Sequence, residues 1–407
     1  MKTISFNLVV FFTLLFGLSS CGDKCFYYVN ETVHEDVLMN LDEIKNSFVV
    51  TEDYEIGKPG NIYTYGKYLL VAEKFKGIHI LDNSNPANPI KLKFIGLKGN
   101  ENFIIKNNYI IADNGPDLLS IDFSNLNDIK IVDRQVNVNT SKIRGNQFIV
   151  GQNVSIQKVK KECSSNNNGG VFMSQKSSSD ASAASAVGQG GSMSKFANLG
   201  NFLYIVNNSE LIPVEISNPA KPITNPKLKL TSENVETLFP YKKYLYMGTS
   251  NGILIYNTEG SENSPKYIST ISHVFGCDPV IVSNDVAFST IRGGTSCRNV
   301  SVNELNLYDV SSPSNSYFLR SFGMEEPYGL GLKDDLLFIC QGFKGLFVYD
   351  YDKSTNNVSL RHSYPDIHAF DVIVNGNTLI ITADNGLFQF DISNKDNLVY
   401  QSKLVDF

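Results

Sequence analysis

One unit of about 40 residues returns along almost the whole chain, and it limits the folds open to it more than any other feature. The unit is a short apolar strand, a turn, a second apolar strand, an acidic residue, and then often Ser and Pro. Its clearest copy runs from Tyr68 to Asp82 and continues Asn83-Ser84-Asn85-Pro86. Further copies span Tyr109 to Asp122, Phe202 to Glu215, Tyr244 to Asn257, Val286 to Asp309, Leu336 to Asp350 and Leu379 to Asp391, and a degenerate copy spans Phe148 to Val159. The closing residues Asp82, Asp122, Glu215, Asn257, Asp309, Asp350 and Asp391 are separated by 40, 93, 42, 52, 41 and 41 residues. The interval of 93 holds two periods and an insertion, and the interval of 52 holds a longer turn around Gly293 to Arg298.

Each hairpin is flanked by two more strand candidates, such as Asn61 to Tyr65 before it and Ile90 to Ile95 after it. Four short strands per period is the arithmetic of a propeller blade. The hairpin strands are continuous apolar runs, as in Leu69-Leu70-Val71-Ala72 and Leu379-Ile380-Ile381. A sheet with one wet face alternates apolar and polar residues, whereas unbroken runs imply burial on both faces. The chain is therefore expected to be all-β: a single β-propeller over residues 46–407, with four-stranded blades and a flexible insertion at 164–194. Eight hairpins imply eight blades, or seven if the degenerate copy is only an insertion. Phe48 to Ile56 reads as an extra strand, expected to pair with the last blade.

At the N-terminus, Lys2 is followed by an almost wholly apolar run from Leu8 to Leu18. That run is too short to span a bilayer, which needs about 20 residues, and has the length of a signal-peptide core. Leu18-Ser19-Ser20-Cys21-Gly22 resembles the lipobox of bacterial lipoproteins. On that resemblance residues 1–20 are a signal peptide, Cys21 carries the lipid anchor, and residues 21–45 form a tether. The implied location is the bacterial cell envelope, at the outer membrane or the surface rather than the inner membrane. The remaining cysteines are Cys25, Cys163, Cys277, Cys297 and Cys340, with no C-x-x-C spacing of a zinc site. Cys277 and Cys297 flank one blade's first strands on the same face and are a candidate disulfide.

A net charge of −6 with no basic stripe argues against nucleic acid as a partner. The recurring Asp-x-Ser-x-Pro element places carboxylate and hydroxyl acceptors beside the next backbone N–H groups, and Pro ends the ladder. These acids recur in nearly every copy, which marks them as turn locks rather than a catalytic ring. Gly248-Thr249-Ser250-Asn251-Gly252 matches a nucleophile elbow, but it falls in a hairpin turn where Asn-Gly is expected. Ser192-Met193-Ser194-Lys195 lacks the helix its motif needs. His34, His79, His273, His362 and His368 show no ligand spacing. No cofactor or metal is implied.

Gly77-Ile78-His79-Ile80-Leu81-Asp82, followed by Asn83-Ser84-Asn85-Pro86, resembles the LVIVD repeat of exported bacterial propeller proteins, as do Leu336 to Asp350 and Leu379 to Ser393. The resemblance implies a fold and no shared activity. The segment 164–194 is rich in Ser, Ala and Gly, which bury little apolar area. As a flap over the central opening it would offer Gly188, Gln189, Gly190, Gly191 and Ser192 to a ligand; the plainer reading is a tolerated loop insertion. The expected function is a membrane-anchored, non-catalytic binding or scaffold module that recognises a protein or glycan. The alternatives are an enzyme with its site in the central channel and a structural surface-layer component.

Overall fold

The structure, a computed structural model, describes residues 26–52, 54–162, 193–207, 209–232, 235–272, 279–293 and 302–404. It divides into two compact units, one of Glu35–Asn153 with Lys176–Phe407, the other of Met1–His34 with Val154–Gln175. The chain begins with strand β1 (Phe26–Asn40), helix α1 (Leu41–Lys45) and strand β2 (Val49–Thr51). Blade 1 is β3 (Pro59–Tyr65), β4 (Tyr68–Glu73), β5 (Gly77–Asp82) and β6 (Ile90–Gly96). Blade 2 is β7 (Phe103–Lys106), β8 (Tyr109–Asn114), β9 (Asp117–Asp122) and β10 (Lys130–Gln135). The degenerate copy supplies β11 (Ile143–Arg144) and β12 (Gln147–Glu162).

Blade 3 is β13 (Phe196–Leu199), β14 (Phe202–Val206), β15 (Glu210–Glu215), β16 (Ile223–Thr224) and the short β17 (Leu228–Lys229). Blade 4 is β18 (Val235–Tyr241), β19 (Tyr244–Thr249), β20 (Gly252–Asn257) and β21 (Lys266–Ser272). Blade 5 is β22 (Val280–Ser283), β23 (Val286–Arg292), β24 (Asn303–Asp309) and β25 (Tyr317–Gly323). Blade 6 is β26 (Leu330–Lys333), β27 (Leu336–Cys340), β28 (Leu346–Asp352) and β29 (Asn357–Tyr364). Blade 7 is β30 (Ala369–Asn375), β31 (Thr378–Ala383), β32 (Gly386–Asp391) and β33 (Val399–Leu404).

Among the described residues the strands form eight sheets, one for each hairpin counted in the sequence. Seven hold four or five strands, and the eighth is the three-stranded sheet β1-β12-β11. The first strands of the seven touch in the cyclic order β3, β7, β13, β18, β22, β26, β30, and β31 of blade 7 returns to β3. β7 therefore packs directly on β13, and the degenerate copy contributes a sheet without entering that ring. Its segment forms one continuous strand, β12, rather than the expected hairpin. The fold is the expected β-propeller, and the expected double-sided burial is present: Leu69, Leu70, Val71, Ala72, Leu379, Ile380 and Ile381 are all fully buried. Core clusters cross the seams, as where Ile62, Leu69, Val71 and Leu81 of blade 1 meet Ile373, Ile380 and Leu387 of blade 7.

Two sequence expectations are corrected. β2 pairs with β6 of the first blade, Val49 opposite Gly96 and Thr51 opposite Phe94, and not with the last blade. Each blade is thus complete within its own stretch of chain. Residues 35–45, read as part of a tether, belong to the larger folded unit. Asn40 caps α1 by accepting from Asp42 N at 2.8 Å. Ile44 is then buried in a notch made by Gly99 and Gly115, where a Cβ on either glycine would meet its side chain.

The Asp-Ser turn locks form as expected. Asp82 Oδ1 accepts from Ser84 N at 2.9 Å and Ser84 Oγ at 2.6 Å, and Asp309 does the same for Ser311. In blade 6 the strand runs two residues further, so Asp352 and Ser354 make the lock while Asp350 accepts from Arg361 Nε at 2.8 Å. The same loops join successive blades. Ser402 Oγ of blade 7 donates to Pro86 O of blade 1 at 2.6 Å, and Ser120 and Ser269 donate likewise to Pro219 O and Pro313 O of the blades that follow them.

Among the described residues six outer strands carry a β-bulge against the third strand, at Leu92, Val132, Ile268, Leu319, Arg361 and Gln401. Bulges bend an edge and re-aim the residues beside it. Here they direct Ser269, Arg320, Arg361 and Ser402 at the next blade's loop.

Candidate functional site

Strands alternate in direction within a blade, so the turns between second and third strands share one face with the blade-to-blade connections. The Asp-Ser loops lie on the opposite face and are occupied by their own turns. Two side-chain groups stand on the connection face.

The first lies where the inner strands of blades 1 to 3 begin. Glu101, in the connection before β7, pairs with Lys142 and with Lys74, the latter at 3.4 Å. Both ammonium groups also lie over the Phe75 ring, at 5.0 and 5.6 Å from its centre. Burial acts to raise the Glu101 carboxyl, but Lys142 and Lys74 outweigh it and hold the group at about 2. Asp113, at the end of β8, accepts from Asn100 Nδ2 at 2.9 Å, Glu101 N at 2.6 Å, and Asn102 N and Nδ2 at 3.0 Å. These donors favour the anion, yet burial and then the neighbouring Glu101 carboxylate outweigh them and raise Asp113 to about 7. Asn61 of β3 ties the network inward by donating to Glu101 O at 2.7 Å. Burial, then Lys142, push the Lys195 ammonium down, opposed by Glu101 and Glu236.

The second group spans blades 5 to 7. The Arg292 guanidinium sits 3.7 Å over the Tyr328 ring, and Tyr328 meets Phe370 edge-on at 4.8 Å. Phe370 meets Phe343 at 5.9 Å, and Phe343 meets His368 at 5.1 Å. Phe343 is 56% exposed on a rigid turn. Gln341 N donates to Gly345 O at 2.8 Å, Gly342 N donates to Ala369 O at 2.9 Å, and Gln341 Oε1 accepts from Glu325 N at 2.7 Å. Lys344, the next residue in the chain after Phe343, pairs with Glu325 at 3.9 Å. The arrangement presents an aromatic anchor with a polar rim on one side of the face and a fixed ion triad on the other.

Cys21, the candidate pair Cys277 and Cys297, and Gly188, Gln189, Gly190, Gly191 and Ser192 all lie outside the described residues. Gly248 to Gly252 forms the β19–β20 hairpin end, with Thr249 opposite Gly252. His79 is buried in β5, 3.4 Å from Glu73 Oε2. Among the described residues no group of three or more His, Cys, Asp and Glu could hold a metal ion. Glu101, Asp113 and Phe343 were not singled out in the sequence. A usable signal existed for the aromatic: Phe75-Lys76-Gly77 and Phe343-Lys344-Gly345 repeat one tripeptide at the same turn of two blades.

The LVIVD repeat family matches residues 56–95, 190–227 and 368–403, which fall on blades 1, 3 and 7. No curated protein matches the chain. Among solved structures it is similar to BamB from Moraxella catarrhalis, with 9% identity, TM-score 0.51, and 92% of this chain and 99% of that chain covered. It is also similar to a protein from Lactobacillus plantarum, with 9% identity, TM-score 0.53, and coverage of 82% and 96%. A third is a putative 6-phosphogluconolactonase from Bacteroides fragilis, with 10% identity, TM-score 0.53, and coverage of 88% and 94%. At these identities the likeness is one of fold, and it agrees with the ring of blades traced above. The chain is a β-propeller that carries LVIVD repeats.

Proposed function

We propose that this protein is a non-catalytic binding or scaffold module of the bacterial cell envelope, held in a membrane by acylated Cys21 and recognising a protein or glycan partner with its connection face. The propeller fold and the repeat family are compatible with a binding or scaffold role. The observation that carries the reading is the rigid presentation of Phe343, whose turn is fixed by backbone bonds on both sides while its ring stays 56% exposed. A pre-ordered aromatic with a polar rim is the usual anchor of a recognition surface. Across the face, Glu101 is clamped between two ammonium groups and Asp113 is filled by backbone and amide donors, an arrangement suited to holding shape.

Growth into a surface layer through blade edges is opposed by the bulged outer strands. The test is a panel of purified envelope proteins and glycans against the wild type and a Phe343→Asp variant. The reading expects one class of ligand to bind the wild type and to lose at least about tenfold in affinity with the variant. Enzyme-like turnover of esters, lactones or glycosides by the purified protein would overturn it.

A further inference from the structure

In the smaller unit the described residues are Phe26–His34 of β1 and Val154–Glu162 of β12, neighbours in one sheet. Phe26 and Tyr28 are two apart in a strand and so share a face. They are 41% and 59% exposed. The exposed Lys158 of β12 places its ammonium 5.0 Å from the Tyr28 ring centre. Beyond it the sequence reads Lys158-Val159-Lys160-Lys161.

The position along the chain supplies the occupant. Phe26 lies five positions after Cys21, with four residues between them. An extended chain covers at most about 3.5 Å per residue, so an anchored Cys21 keeps Phe26 within about 18 Å of the bilayer. Aromatic rings with one wet and one apolar side collect at the headgroup layer, and Lys is drawn to anionic headgroups within a Debye length. We infer that Phe26 and Tyr28, with Lys158, form a contact surface that rests on the headgroup layer of an anionic phospholipid membrane. This rests on the anchor at Cys21 proposed above. The membrane is then gripped twice, by the acyl chains and by the ribbon, which orients the ribbon as well as tethering it.

The sequence contains no Trp, so Tyr28→Trp, a conservative aromatic exchange, creates a single fluorescent reporter. The full chain bearing that change is produced with its signal peptide, its acylation is read by mass spectrometry, and it is reconstituted in vesicles of phosphatidylethanolamine and phosphatidylglycerol. The expected result is blue-shifted emission that brominated lipid tails quench. Replacing Lys158, Lys160 and Lys161 by Glu should lower that quenching at least about twofold without removing the acyl chains. Acylated protein whose Trp emission stays water-like and unquenched overturns this inference alone, and a protein partner covering the ribbon would give that outcome. Protein without acyl chains overturns the anchor reading and this inference with it.

Discussion

Asn83 and Gln389, 306 residues apart in sequence, exchange two amide hydrogen bonds of 2.9 Å across the seam between the first and last blades. Gln389 is fully buried, and its Nε2 also faces Ser402 Oγ at 3.3 Å. Among the described residues no strand is shared across this seam, and side-chain donors such as Gln389 Nε2 and Ser402 Oγ join the two ends of the ring. Gln389→Ala would leave Asn83 without this partner and should lower stability by about 1–3 kcal/mol. Chemical denaturation of Gln389→Ala, Asn83→Ala and the double variant tests this. Additive losses would show that the pair is not coupled.

Asp113 and Glu101 predict opposite responses to pH. Asp113 rises from 3.8 to about 7 on folding, chiefly through burial and then Glu101, so the folded state keeps a proton that the unfolded chain has lost. Stability from this group is present below about pH 4 and declines as pH rises toward 7. Glu101 falls from 4.5 to about 2, because Lys142 and Lys74 outweigh its burial. Its contribution is present above about pH 4.5 and is lost as pH falls toward 2. Denaturation midpoints across this range should show Asp113→Asn flattening the first slope and Glu101→Gln flattening the second. Unchanged slopes in both variants would refute the assignment.

The seat of Ile44 depends on two glycines. A Cβ on Gly99, where φ is +74°, would lie 2.9 Å from Gly115 N, and a Cβ on Gly115 would lie 3.0 Å from Ile44 Cγ2. Gly99→Ala should cost at least about 1–2 kcal/mol in backbone strain. Ile44→Ala should cost about 2–4 kcal/mol through the void it leaves. Both should also speed proteolysis near Leu41–Lys45. Normal protection in both variants would mean that α1 is not held by this notch.

Much of this architecture was legible because it repeats. Asp82, Asp122, Asp309 and Asp391 end their strands where the period placed them, since each is the first residue of a turn lock that every blade needs. The degenerate copy misled because Ile149-Val150 resembles a hairpin strand, while the neighbour that decides its pairing, β1, lies more than a hundred residues earlier. β2 misled for a similar reason: an isolated apolar triplet does not encode which edge it will join. Glu101, Asp113 and Asn61 were hidden because their meaning comes from connections and a hairpin turn of different blades meeting in space.

Cys340 is fully buried in β27, where burial and then Asp371 push its thiol well above the usual range. A protonated, inaccessible thiol reacts slowly. Iodoacetamide at neutral pH should leave Cys340 unmodified in the native protein and alkylate it after unfolding, as peptide mass spectrometry would show. Modification of native protein at the unfolded rate would mean that blade 6 opens readily.

Because every blade is built from consecutive strands, the place where the backbone starts has no special part in closing the ring. Joining the termini through a linker and reopening the chain at another seam would still give whole sheets at both new ends. Such a circular permutant should assemble the same ring of blades.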